Sequence, residues 1–153
     1  MGFDRRNLLT VAGVIVGGIS ALHVACAIIG PAAYRYFGAG EQMASLAASG
    51  SPIPAVVTIL LALLFGLFAA YALSGAGRVR PLPFLRQVVG VIGAVFALRG
   101  LLLLLELATL VRRPSSVPLR GLVFSAVALV VGALYLVGAF GRGAAHSSGD
   151  LET

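Results

Sequence analysis

Apolar residues fall into four long blocks, Leu8–Gly30, Pro54–Leu73, Val88–Val111 and Gly121–Gly141, parted by stretches rich in glycine, proline, serine and arginine. At about 1.5 Å of rise per helical residue, each block is long enough to cross a hydrocarbon layer of about 30 Å. Backbone polar groups in lipid must be satisfied within their own segment, so the blocks read as helices. The run "AVALVVGALYLVGAF" also lacks the alternation of apolar and polar residues that strands of a membrane barrel need. The pattern predicts an all-α protein: a four-helix polytopic membrane bundle filling a single domain, residues 1–141, with helices at about 8–30, 54–73, 88–111 and 121–141. The polar remainder, 142–153, is expected to be a disordered tail.

The connections differ in kind. "SGAGRVRPLP" and "RRPSSVPLR" are short and suited to joining adjacent antiparallel helices. The first connection, "PAAYRYFGAGEQMASLAASGSP", is about twice as long. Pro31 is expected to end the first helix, and "EQMASLAA" sets Met43, Leu46 and Ala47 on one helical face, as in a short interfacial helix. Tyr34, Tyr36 and Phe37 suit the headgroup region, where amphipathic aromatic residues settle, and Tyr71 and Tyr135 read as anchors at the opposite interface. The same loop is a candidate lid, with Tyr34, Arg35, Tyr36 and Glu41 as its polar members.

Composition fits a membrane location. Hydrophobic residues are 59% of the chain, charged residues 10%, and the mean hydropathy is +1.05, whereas a soluble domain carries about a quarter charged residues. The net charge of +6 comes from eleven basic residues, all arginine, most of which flank the apolar blocks. That placement fits anchoring against anionic headgroups and argues against nucleic-acid binding. Arg5, Arg6, Arg78, Arg80, Arg86 and Arg142 fall on one side, and Arg35, Arg112, Arg113 and Arg120 on the other. The excess favours both termini in the cytoplasm, and exclusive use of arginine suggests a bacterial inner-membrane protein. "MGFDRRNLLTVAG" resembles an export signal, but three further spans follow a full-length apolar run, so it reads as a retained helix. The single cysteine, Cys26, excludes an intramolecular disulfide.

Small residues mark expected contacts. Gly13 and Gly17 form a GxxxG strip on the first helix, and Ala128 and Gly132 form a similar one on the fourth. Close backbone approach drives helix association in lipid, so these strips should meet helices of this chain, a second copy in a homo-oligomer, or a larger membrane complex.

The third block holds the least expected residues, Arg99 and Glu106 in "LRGLLLLLELATL". On a continuous α-helix, seven positions turn the face by only about 20° and rise about 10.5 Å. Charges at this depth are costly in lipid, so both should face the bundle interior. Counting helical rise puts Arg99, Glu106, His23, Thr58 and Ser125 in the half of the layer nearest the long first loop. These five form the predicted intramembrane polar pocket, with Arg99 and Glu106 coupled. Alternatively, the pair only locks helix packing.

Neither a metal site nor a cofactor is expected: one intramembrane histidine and one glutamate fall short of a zinc set, and no GxSxG, HExxH, P-loop or CxxC motif occurs. The sequence therefore favours an accessory or scaffold subunit whose polar pocket binds membrane lipid or a partner helix. A homo-oligomeric proton-coupled or anion carrier using Glu106 and Arg99 is the alternative, and an intramembrane enzyme is a third class.

Overall fold

A computed structural model describes residues 4–113 and 118–141; the tail from 142 onward, including Arg142, lies outside the described residues. The described residues are helical with no strand, in seven segments. These are α1 (Arg5–Ile29), α2 (Pro31–Phe37), α3 (Glu41–Ala48), α4 (Ile53–Gly75), α5 (Leu85–Gly100), α6 (Leu102–Arg112) and α7 (Leu119–Phe140). Among them α1, α4, the combined α5–α6 span and α7 are long and apolar enough to cross a membrane. Their outward faces leave Leu60, Leu63, Leu67, Val91, Val95 and Leu104 exposed, as lipid-facing positions would be.

Local chemistry sets where each helix starts and stops. Asp4 caps α1, its Oδ1 accepting from the Arg6 amide at 3.1 Å. Gly30, at φ 76°, turns the chain, and Pro31 then opens α2, since proline lacks the amide that a first helical residue leaves unused. Pro31 thus ends one helix and begins another, so the long connection holds two short helices rather than the single one expected. After α4, the Ser74 hydroxyl donates to the Arg80 carbonyl and accepts from the Leu82 amide, both at 2.9 Å, which fixes the turn into α5.

The helices pack as two antiparallel pairs, α1 with α4 and α5 with α7, joined by contacts of α1 with α7 and α4 with α5. Leu9, Ala12, Val16, Ala72, Val89, Ile92, Val131 and Tyr135 form the core, which lies toward the start of α1 and the end of α7. Arg5 closes that end, donating to the Gly138 and Ala139 carbonyls at the C-terminus of α7, where a cation also meets the negative end of the helix dipole.

Both small-residue strips are used within the chain. A Cβ on Gly13 would stand 2.9 Å from Leu73 Cγ, and one on Gly17 would stand 3.9 Å from Ala69 Cβ, so this strip receives α4. Gly132 receives the backbone of α5, where an added Cβ would come within 2.8 Å of Ala97 Cα, and Ala128 is buried on the same face. Tyr135 is a correction to the expected interface anchors. It is fully buried, and its hydroxyl donates across the bundle to the Phe68 carbonyl at 2.9 Å. Hydropathy cannot separate an aromatic residue at the headgroups from one whose hydroxyl finds a carbonyl inside.

The third span is not one regular helix. The Leu101 amide bonds both Ala97 and Leu98 carbonyls, and the Leu104 amide bonds Leu101, a three-residue spacing that tightens the turn. Gly100 sits at this break, where a Cβ would stand 2.6 Å from the Leu129 nitrogen of α7. Beyond it α6 buries no residue.

Candidate functional site

The half of the bundle away from the core encloses a cavity of about 660 Å³. Its floor is aromatic, with the Phe65 and Phe96 centroids 6.2 Å apart and Phe96 stacked on Tyr135 at 6.1 Å. Its walls come from α1, α4, α5 and α7, and Tyr34, Phe37 and Met43 of α2 and α3 cover it. The cavity is partly open, and Leu61 and Val127 on its walls are also exposed.

Against this apolar lining stand few polar side chains. Arg99, at the end of α5, borders the cavity and donates from Nη1 to Ser125 Oγ of α7 at 2.9 Å. Ser125 is fully buried behind it. His23 also borders the cavity, 4.9 Å from the Phe65 ring, and its Nδ1 lies 2.8 Å from the Ile19 carbonyl. Because a carbonyl only accepts, Nδ1 carries the proton, and Nε2 is left as an acceptor in the neutral ring. Thr58 is 6% exposed and donates to its own helix at the Pro54 carbonyl, 2.7 Å away. Tyr34 is 3% exposed, and its buried hydroxyl has no hydrogen-bond partner. An orphaned buried hydroxyl costs about 1–3 kcal/mol, so it calls for a physical reason.

The arrangement gathers Arg99, His23 and Thr58 around one cavity, sets Ser125 behind Arg99, and leaves Glu106 elsewhere. Glu106 lies on α6 against Gly121 of α7, where a Cβ would stand 3.3 Å from Oε1, and its buried Oε2 has no partner. It neither borders the cavity nor pairs with Arg99 among the described residues. Both charges nonetheless turn toward α7, since Gly121 beside Glu106 and Ser125 beside Arg99 lie four residues apart on that helix.

The covering segment is fastened at two points. Arg35 grips Glu41 across the turn between α2 and α3, Nε reaching both carboxylate oxygens at 3.1 Å and Nη2 reaching Oε1 at 2.9 Å. The guanidinium holds the exposed Glu41 carboxyl below its ordinary pKa, mainly through these hydrogen bonds, so the pair is ionised at neutral pH. Arg120 of α7 donates to the Tyr36 carbonyl at 3.2 Å, tying α2 to α7. Of the four loop residues singled out as a candidate lid, Arg35, Tyr36 and Glu41 are exposed and Tyr34 alone turns inward. Sequence reasoning missed the inward turn of Tyr34 and the floor of Phe65 and Phe96. Aromatic rings in mid-span, away from either interface, were the available signal.

Among the described residues no three His, Cys, Asp or Glu side chains gather as a metal site would require. No protein-family model, curated protein or solved structure matches the chain, so the functional reading rests on its own residues.

Proposed function

We propose that this chain is a multi-pass protein of a bacterial cytoplasmic membrane that holds an amphiphilic molecule of the bilayer in the cavity beneath α2 and α3. In this reading four crossings leave the start of α1 and the end of α7 on the same, cytoplasmic side. The observation that carries the reading is a cavity of about 660 Å³, apolar in most of its lining, with Arg99, His23, Thr58 and Tyr34 on its border. Ligand sites commonly combine such volumes with a few polar groups that orient the guest. Entry past the exposed Leu61 and Val127 would take a guest in from the lipid without crossing water. The chain then acts as a binding or accessory component, alone or within a larger membrane assembly.

A cavity-filling variant tests this. Leu61→Trp puts an indole into the wall of the cavity. The wild-type protein, extracted gently and weighed intact, should carry a co-purified amphiphile that Leu61→Trp, or Val127→Trp, reduces about tenfold, the loss expected when roughly 1.4 kcal/mol of contact is removed. An empty wild-type protein, or equal occupancy in both well-folded variants, contradicts the reading.

A further inference from the structure

Resting on that reading, we infer that the guest is a single-chain amphiphile with an anionic head, a long-chain carboxylate or a monoalkyl phosphate, whose charge sits on Arg99. Charge, hydrogen-bond demand and size bear on it.

Charge comes first. Arg99 is the one arginine on the cavity border, and no carboxylate lines the cavity with it. Its bonded partner, Ser125, is a neutral hydroxyl, and among the described residues it makes no ion pair. A guanidinium cannot shed its proton, and a cation at membrane depth is stable only beside an anion or water. Nη1 is engaged by Ser125, which leaves the rest of the planar fork to meet two acceptor oxygens.

Hydrogen-bond demand comes second. The free donors at the cavity border are those of the Arg99 fork, of which only Nη1 is engaged by Ser125. An oxyanion supplies the acceptors that this fork lacks.

Size comes third. A methylene group takes up roughly the ~30 Å³ share of a water molecule, so 660 Å³ holds on the order of twenty such groups. One long alkyl chain and a small head fill that space, and the second chain of a phospholipid would have to lie outside it, among the lipids. The aromatic floor of Phe65 and Phe96 is a dry contact for the chain.

The test is competition against labelled palmitate on the full chain held in amphipol, which removes competing detergent. Palmitate and hexadecyl phosphate should displace the label, with hexadecanol and hexadecyltrimethylammonium at least about tenfold weaker, since hydrogen bonds to a charged group contribute about 1.5–3 kcal/mol. Arg99→Leu and Arg99→Gln should each weaken palmitate about tenfold or more while leaving hexadecanol unchanged, which also reports an intact fold. Equal binding of hexadecanol and palmitate, untouched by either Arg99 variant, overturns the anionic head and leaves the cavity reading standing. Displacement by diacyl phosphatidylglycerol as strong as by palmitate overturns the single chain. Absence of saturable binding by any single-chain compound removes both the inference and the reading beneath it.

Discussion

Gly132→Leu is expected to prevent the bundle from assembling, and Gly132→Ala to lower its melting temperature by several degrees. The reason is what a side chain would strike. A Cβ at Gly132 falls on the backbone of Ala97, 2.8 Å from its Cα and 3.0 Å from its Cβ. Backbone cannot swing aside as a leucine terminus can, so α5 and α7 would have to separate. Apolar burial gives little drive for helix pairing in lipid, and close packing is what holds the pair. One surplus methyl in a tight contact costs about 1–3 kcal/mol, which converts to roughly 2–12 °C for a chain of this size. Gly13 is a milder case, because the nearest atoms belong to the Leu73 side chain. Gly18 serves as the control: nothing lies within 4 Å of an added Cβ, so Gly18→Leu should melt as the wild type does. A Gly132→Leu protein with wild-type melting behaviour would refute the packing described for α5 and α7.

The second large effect concerns the charge partners in the third span. A double-mutant cycle of Arg99→Leu with Ser125→Ala should show a coupling of about 1–3 kcal/mol, the range for a hydrogen bond to a charged group. The cycle of Arg99→Leu with Glu106→Gln should be additive to within about 0.5 kcal/mol. Glu106→Gln should leave stability unchanged or raise it, because the wild-type residue already buries a carboxylate oxygen without a partner. This reverses the order the sequence suggests, in which stranding Arg99 would make loss of Glu106 the costlier change. Coupling above about 1 kcal/mol between Arg99 and Glu106 would show that the two side chains meet after all.

The difference between those two orders shows how far the sequence can be read. The four spans are legible because an apolar run of membrane length leaves the backbone no other way to satisfy itself. Counting rise along the helices set Arg99, Glu106, His23, Thr58 and Ser125 in one half of the layer; Arg99, His23 and Thr58 border one cavity with Ser125 behind Arg99, and Glu106 does not border it. Rotation about the helix axis is less legible. Arg99 and Glu106 both meet α7, beside Ser125 and Gly121, yet only Arg99 borders the cavity, and nothing in "LRGLLLLL" shows that difference. The covering segment hides its fold for a related reason. A glycine at φ 76° followed by proline reads as a helix end, although proline at a first helical position also starts one. Tyr34 and Tyr135 are inward for reasons of tertiary packing, which hydropathy does not encode.

The central claim is that an amphiphile lies inside the bundle rather than on its outer face, and photolabelling with a diazirine-tagged palmitate in native membranes tests it most directly. The account predicts labelled peptides from Val57–Phe65 and Val123–Val127, with the modified residues at Leu61, Phe65, Phe124 and Val127, and loss of that label when untagged palmitate is added. Label spread over the outward-facing Leu63, Leu67, Val91 and Val95, and indifferent to untagged palmitate, would contradict it.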